Sequence, residues 1–229
     1  MKYLRALQYF VSTILIYLGF SLLGWGLDDL AGFLALPARG AYALVVVLFG
    51  LAVGWQAIDA PEGIRGSKGQ AGKLVRRQTF VGGLLIALFL CMLVILPWAD
   101  RHSLGVLPDV PPLRWLGVVS CGMGYALIFW SGLALGRQYS AEVTIQDGHR
   151  LVTTGLYHYI RHPRYSGLLL AGLGLVGIFR SWPGFLAIIP VLGLLLLRIR
   201  DEEALLHQEF GAAWQAYRGR SWRLMPYLY

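Results

Sequence analysis

The chain has 229 residues, of which 57% are hydrophobic and only 14% are charged. Ordinary soluble domains carry about 25% charged residues, so this composition excludes a typical soluble domain and indicates lipid as the solvent. The net charge of +8 does not indicate a nucleic-acid-binding protein, because the basic residues are distributed between apolar segments in the way expected of a membrane topology.

Four apolar stretches are long enough for a membrane-spanning helix, which needs about 20 residues. They lie near residues 8–27, 39–58, 79–98 and 113–135. The first stretch follows Lys2 and Arg5, as a signal peptide would, but no clear small-residue cleavage pattern follows it, so we expect a retained anchor. The third stretch, Phe80 to Trp98, is expected to end at Pro97 and the polar run Asp100, Arg101, His102.

A fifth apolar block, 167–197, is interrupted at residues 180–183. Each half is short for an independent span, which favours a helical hairpin. The predicted fold class is therefore all-α, a polytopic membrane helical bundle of about five to six transmembrane helices, the last two forming the hairpin. A C-terminal amphipathic helix follows them.

The basic residues favour one orientation in the membrane. With the N-terminus inside, most Lys and Arg fall in the loop 59–78, the segment 137–164 and the tail after residue 197. The basic residues left for the outer side are Arg39, Arg101, Arg114 and Arg180. This asymmetry follows the positive-inside rule, and it predicts a cytoplasmic N-terminus, C-terminus and active site.

No linker long enough to separate two domains is visible in the sequence. We therefore expect one integral membrane domain, with N-terminal membrane helices over residues 1–112 and the functional core over 113–229. Cys91 and Cys121 lie within predicted spans and show no metal-ligand spacing, so no metal site is predicted. The fourth span carries glycines that would allow close helix contact, at Gly117, Gly122, Gly124, Gly132 and Gly136.

The strongest functional signal is a polar connection between apolar segments, reading HRLVTTGLYHYIRHPRYSG over residues 149–167. Because the residue before a proline disfavours helix and proline suits the first helical turn, His162 is predicted to precede a helix that Pro163 opens. Free backbone N–H groups at that helix start would suit a carboxylate or phosphate.

The segment after the fifth apolar block is the only other polar stretch of comparable density that could meet this connection. Arg198 follows four leucines at the edge of the hydrocarbon layer, where an ionisable residue is a functional candidate, and Glu202 one turn later is its natural partner. For Arg200 and Glu203 a solvated helix face with intrahelical ion pairs is the preferred interpretation.

Two interpretations of the polar connection remain open. Tyr, His and Arg are common in the head-group layer of membrane proteins, so the segment could be an interfacial belt. A ligand site is favoured because two histidines and three tyrosines are compressed between two glycine turns.

The same residues carry a family resemblance. The first motif comprises His149, Arg150, Leu151, Val152, Gly155, Tyr157, Arg161, His162, Pro163, Tyr165 and Gly167. The second comprises Arg198, Glu202, Glu203, Phe210, Gly211, Trp214 and Tyr217. In order and spacing, both resemble the isoprenylcysteine carboxyl methyltransferase family over roughly residues 113–226.

The resemblance implies an integral membrane enzyme that uses S-adenosylmethionine without a Rossmann domain and releases S-adenosylhomocysteine. It implies Arg198 as the substrate-binding residue and Arg198 and Glu202 as catalytic residues. The cofactor-binding residues that it implies are His149, Arg150, Leu151, Val152, Tyr157, His162, Pro163, Arg164, Tyr165 and Glu202. The implied partners are a lipophilic or small methyl acceptor, with a carboxylate or a thiol, and membrane lipids, and not nucleic acid.

Other functions also fit parts of the chain. The ending from Trp214 to Tyr229 also resembles membrane sterol reductases, which use NADPH. A phospholipid amine methyltransferase would share the chemistry. A transporter or scaffold is less favoured, because the first four apolar segments contain almost no charged residues along a pathway.

Overall fold

A computed structural model describes residues 2–59, 76–136 and 150–227. These residues are mostly helical and contain no β-strand, only two isolated bridges that join Val106 to Ser181 and Ile160 to Trp222. The predicted all-α bundle is therefore confirmed. Most of the basic inner loop 59–78 and the N-terminal part of the polar connection, including His149, lie outside the described residues.

The N-terminal part begins with an apolar helix that contains one π-helical stretch and then turns back into a second long helix. Its elements are α1 (Lys2–Ile14), the π-helical stretch Leu15–Gly19, α2 (Phe20–Trp25), a 3-10 turn (Leu27–Asp29), α3 (Leu30–Ala35) and α4 (Pro37–Asp59). The side chain of Asp29 caps α3 by accepting a hydrogen bond from the Gly32 N–H at 2.9 Å.

The other described residues, 76–136 and 150–227, form three long helices and shorter elements around the polar connection. These are α5 (Arg76–His102), α6 (Pro111–Leu135), a 3-10 turn (Gly155–His158), α7 (Pro163–Ile178), α8 (Trp182–Phe210) and α9 (Ala212–Arg218). Proline opens α6 and α7, where its missing N–H costs no hydrogen bond.

Within the described ranges, five helices are long and apolar enough to cross a membrane. They are Lys2–Trp25, Pro37–Ile58, Gln78–His102, Pro111–Leu135 and Trp182–Phe210. Large apolar side chains such as Leu44, Ile86 and Ile189 are exposed on their outer surfaces, as lipid-facing positions require. The chain is an integral, multi-pass membrane protein.

Two details differ from the sequence-based prediction. Helix α5 continues through Pro97 to His102, and the second half of the hairpin is one continuous helix of 29 residues. Helix α8 extends beyond the apolar block because the polar segment after Leu197 stays helical, so the predicted C-terminal amphipathic helix is its continuation. Helix α7 has 16 residues, a length of about 24 Å, and remains too short for an ordinary span.

Glycines let α6 and α7 pack backbone against backbone. A Cβ atom built on Gly124 would lie 2.6 Å from the Gly167 carbonyl oxygen, and one on Gly117 would lie 2.7 Å from the Gly174 carbonyl oxygen. No side chain larger than hydrogen fits at these positions. The expectation of close contact is thus confirmed at Gly117 and Gly124, whereas Gly136 ends α6 with a φ of +48°.

The apolar core lies between α2, α4, α6 and α7. Tyr42 and Tyr125 are almost completely buried there, and the ring of Tyr125 stacks on Phe49 with centroids 4.7 Å apart. Phe179, at the turn into α8, meets the edge of Tyr42 at 6.0 Å. The core thus fixes α7, and with it the polar connection, against the N-terminal helices.

A buried charge cluster closes the end of the bundle where α7 finishes. The Asp100 side chain is only 1% exposed and accepts hydrogen bonds from Arg114 at 2.9 and 3.1 Å, from Arg180 at 2.8 Å and from Arg39 at 3.3 Å. Asp109 accepts from Arg114 Nε at 2.7 Å. Arg114 also donates to the last carbonyl of α7 at 2.6 Å. Three of the arginines that the sequence assigned to the outer side therefore lie together.

Candidate active site

The polar connection and α8 meet at the opposite end of α7. Tyr165, in the first turn of α7, donates its hydroxyl to Glu202 Oε2 at 2.9 Å. The same hydroxyl oxygen accepts a hydrogen bond from Arg198 Nε at 2.9 Å. Arg198 is 9% exposed. One tyrosine oxygen thus joins the two α8 residues that the sequence singled out, which lie one helical turn apart.

His162 lies beside this group. Its ring stacks on the Tyr165 ring with centroids 5.5 Å apart and planes at 12°. His162 Nδ1 is 3.7 Å from Glu202 Oε2, and Nε2 is 3.5 Å from Glu203 Oε1. The second distance exceeds that of a good hydrogen bond, and the buried Nε2 has no hydrogen-bond partner. The imidazole ring of His162 is therefore held by stacking on Tyr165 rather than by a short hydrogen bond.

The prediction that Glu203 lies on a solvated helix face is wrong. It is 7% exposed and pairs with Arg161 Nε at 3.0 Å and with Arg223 Nη2 at 2.9 Å. Arg161 belongs to the polar connection and Arg223 to the C-terminal tail. Glu203 is buried because the C-terminal tail folds back over this face of α8, and the carboxylate thus connects α8 to the polar connection and to the tail. Arg200 is exposed, as predicted.

The C-terminal tail also pairs with the polar connection through the backbone. The N–H of Arg161 donates to the Trp222 carbonyl at 2.7 Å, and the N–H of His162 donates to the Arg223 carbonyl at 3.0 Å. Ser166 Oγ donates to the Leu224 carbonyl at 2.5 Å. These bonds hold the start of α7 in place.

A buried tyrosine of α9 is hydrogen-bonded to the backbone of the polar connection. Tyr217 of α9 is 3% exposed and donates its hydroxyl to the Tyr157 carbonyl at 2.6 Å. Burial raises the pKa of Tyr217 to about 12, so the phenol stays protonated and keeps donating at physiological pH. Burial also raises the pKa of Tyr157.

The helix start of α7 offers fewer free donors than expected. The N–H groups of Tyr165 and Ser166 both donate to the His162 carbonyl, at 3.0 and 3.1 Å. They are therefore used within the first turn. An anion binds a helix start through N–H groups that have no other acceptor, so the carboxylate site at this helix start stays a prediction.

The structure places the predicted site residues unequally. His162, Tyr165, Arg198 and Glu202 come together within hydrogen-bond or ring-contact distance. The other described candidates lie along the same connection, with Arg150 exposed, Leu151, Val152 and Arg164 half-buried, and Tyr157 and Pro163 buried.

Sequence reasoning missed the contribution of α5. Arg198 Nη1 lies 3.4 Å from the Gln78 carbonyl oxygen, and the Gln78 amide Nε2 donates to Asp201 Oδ2. A single glutamine at the edge of an apolar segment gives no sequence signal of this role, because only the packing of α5 against α8 creates it. Among the residues that the structure describes, no group of His, Cys, Asp or Glu could hold a metal ion.

This part of the chain is similar to known proteins. Residues 115–208, which include α7 and most of α8, match the family model described as the isoprenylcysteine carboxyl methyltransferase family. A probable protein-S-isoprenylcysteine O-methyltransferase of Oryza sativa subsp. indica is 28% identical over 119 residues, or 51% of this chain and 62% of the relative. The protein-S-isoprenylcysteine O-methyltransferase of Schizosaccharomyces pombe is 38% identical over 101 residues, or 38% of this chain and 43% of the relative.

A mouse Delta(14)-sterol reductase is also similar, 34% identical over 86 residues, but these make up only 20% of that protein. The alignments to the rice and yeast relatives span 62% and 43% of their lengths. The fold is that of a helical membrane protein whose candidate site is built on α7 and α8. Residues 115–208 are thus similar to the isoprenylcysteine carboxyl methyltransferase family.

Proposed function

We propose that this chain is a membrane methyltransferase that transfers a methyl group from S-adenosylmethionine to the carboxylate of a lipophilic acceptor of the isoprenylcysteine class. The observation that carries the proposal is the hydrogen-bonded chain from Arg198 through Tyr165 to Glu202. It lies within the segment that matches the family. A thiol acceptor is the closest alternative within the same chemistry.

Arg198 suits the anionic end of such an acceptor. It follows four leucines on α8 and is only 9% exposed, so its charge lies where the apolar surface of the bundle ends. A guanidinium offers several N–H donors in a fixed plane, which match the two oxygens of a carboxylate. An apolar chain attached to that carboxylate would extend along the lipid-facing helices.

The residues around Tyr165 fit a cationic cofactor. Glu202 has a side chain that is 35% exposed, so its carboxylate can face both Tyr165 and a ligand. The stacked rings of His162 and Tyr165 offer aromatic faces, which attract cations such as a sulfonium. The connection from Arg150 to Tyr157 would complete the cofactor site.

When bound, S-adenosylmethionine supplies an electrophilic methyl carbon, whose bond to sulfur breaks as a bond to the acceptor oxygen forms. The residues of this chain need only position and shield the partners. A carboxylate acceptor is already ionised, so no general base is required and we assign none. Arg198 would hold the acceptor oxygens, and Tyr165 would fix the direction of the Arg198 side chain, since positioning alone can lower the barrier by several kcal/mol.

The orientation of the protein is part of the proposal. The distribution of basic residues supports a cytoplasmic N-terminus, Arg198 site and C-terminus, and S-adenosylmethionine would then enter from the cytoplasm. Residues 113–229 would form the catalytic core and residues 1–112 its membrane scaffold.

Calorimetric titration of the detergent-purified protein with S-adenosylhomocysteine, and separately with NADPH, tests the cofactor. Micromolar binding of S-adenosylhomocysteine alone supports a methyltransferase. Binding of NADPH alone would instead support a sterol-reductase-like enzyme.

Transfer of a labelled methyl group identifies the acceptor. The assay compares an N-acetylated S-prenylcysteine with its carboxamide, with a free thiol and with a phospholipid amine. We expect label only on the acid. Label on the carboxamide, the thiol or the amine would contradict a carboxylate acceptor, and label on none of the four would contradict the proposed function.

A further inference from the structure

Helix α5 forms one side of the Arg198 site, although it lies outside the segment that matches the family model. The Gln78 carbonyl oxygen is 3.4 Å from Arg198 Nη1. One helical turn later, Gly82 faces the same guanidinium. A Cβ atom built on Gly82 would lie 2.8 Å from Arg198 Nη1. The backbone of α5 and the head of Arg198 are therefore in direct contact.

The side chain of Gln78 fastens α5 to α8 at this level. It is 2% exposed, and its Nε2 donates to the carboxylate of Asp201, less than one turn from Arg198 on α8. Because the amide nitrogen must face the carboxylate, the amide oxygen is the atom left buried without a partner. Such an unsatisfied buried acceptor is rare in folded proteins.

We propose that α5 positions Arg198 for the methyl acceptor, and that Gly82 is the positioning residue that leaves room for the guanidinium. Gln78 holds the two helices at the separation that this contact needs. Gly82 itself touches no ligand and acts through Arg198. The inference rests on the proposed function, because it concerns the acceptor that Arg198 would bind.

The geometry predicts what a methyl group at position 82 would do. The atom that it would meet is the far end of a long, flexible side chain, so the fold can absorb the change when the guanidinium moves. Alanine also favours a helix more than glycine does, so the substitution does not weaken α5. The displaced guanidinium would lose its alignment with the Gln78 carbonyl and with the Tyr165 hydroxyl.

The neighbouring glycine provides a matched control. Gly83 is exposed, and a Cβ atom built there would meet nothing within 4 Å. Gly82→Ala and Gly83→Ala therefore make the same chemical change in the same helix, one beside Arg198 and one facing away from it.

The test measures the KM for N-acetyl-S-prenylcysteine, the Kd for S-adenosylhomocysteine and the melting temperature of both variants. We expect Gly82→Ala to raise the acceptor KM at least about tenfold, as for loss of a hydrogen bond to a charged group, with the Kd and melting temperature unchanged. We expect Gly83→Ala to match the wild type in all three.

Other outcomes overturn the inference. Equal acceptor KM values for the two variants would show that Gly82 does not position Arg198. A weaker Kd or a lower melting temperature in Gly82→Ala would show a cofactor or folding role instead. A wild-type protein that binds no S-adenosylhomocysteine and methylates no acceptor would overturn the proposed function, and this inference with it.

Discussion

Tyr165 accepts a hydrogen bond from Arg198 Nε at 2.9 Å and donates its own proton to Glu202 Oε2, also at 2.9 Å. One hydroxyl oxygen of α7 is therefore hydrogen-bonded to two side chains of α8. If Arg198 binds the acceptor and Glu202 the cofactor, the hydroxyl of Tyr165 couples the two ligand sites.

Tyr165→Phe removes that oxygen and keeps the ring that stacks on His162. We expect kcat/KM for methyl transfer to fall about tenfold or more, since a hydrogen bond to a charged group contributes about 1.5–3 kcal/mol, together with weaker binding of S-adenosylhomocysteine. Steady-state kinetics and calorimetry measure both. Tyr159→Phe is the control, because Tyr159 is 64% exposed. Unaltered cofactor affinity in Tyr165→Phe would favour the interfacial-belt interpretation of the polar connection.

Arg198→Ala should abolish turnover and leave the affinity for S-adenosylhomocysteine nearly intact, because the guanidinium is assigned to the acceptor. Arg198→Lys should retain only a small part of the activity, since an ammonium cannot form the paired hydrogen bonds of a guanidinium. Arg200→Ala, on the exposed side of the same helix, should behave like the wild type. Normal turnover of Arg198→Ala would remove Arg198 from the site.

Glu203→Ala should reduce stability more than any exposed substitution on α8. It would leave Arg161 and Arg223 without the carboxylate that they share, and loss of one partner from a buried ion pair costs about 3–5 kcal/mol. Thermal unfolding in detergent measures the effect, with the exposed Glu209→Ala as the control. Equal melting temperatures for the two variants would contradict a role for Glu203 in holding the tail.

Asp100→Asn should destabilise the far end of the bundle without changing the chemistry. The substitution removes the charge shared by Arg39, Arg114 and Arg180, so buried positive charges are left uncompensated. We expect a lower melting temperature, and an unchanged Kd for S-adenosylhomocysteine at temperatures where the variant is folded. A large change in that Kd at such temperatures would show that the cluster is coupled to the site.

Protonation of Asp109 is expected to reduce the stability of the fold in acid. Hydrogen bonds from Arg114 lower the pKa of Asp109 below its usual range. A group whose pKa is lower in the folded state stabilises the fold above its unfolded pKa, and this contribution is lost as the pH falls through the folded pKa. The melting temperature should therefore fall below about pH 4, and less steeply in Asp109→Asn. Identical pH profiles would contradict this contribution.

Much of the fold follows from composition. Long apolar segments must form helices in lipid, because every backbone N–H and C=O needs an internal partner there. Glycine spacing in α6 correctly indicated close packing at Gly117 and Gly124. Helix α5 continues beyond the predicted end at Trp98 and includes the polar run up to His102, because a proline is tolerated in a membrane helix whose neighbours satisfy the freed backbone groups.

The candidate site was predictable only in part. Arg198, Glu202, His162 and Tyr165 were visible because polar residues beside apolar runs are unusual. Glu203 was assigned to the surface because its sequence neighbourhood resembles any amphipathic helix, and nothing local shows that Arg223 folds back to meet it.

The sequence by itself determined the helical membrane class, the polar connection and the residues that bear charge at the edge of the apolar layer. These are local properties, because hydrophobic length and motif spacing are written along the chain. Only the tertiary structure decided that Tyr165 joins Arg198 to Glu202, that Gln78 and Gly82 of a distant helix border the same guanidinium, and that three arginines share Asp100. Those contacts depend on how helices far apart in sequence pack, and no spacing within one helix contains that information.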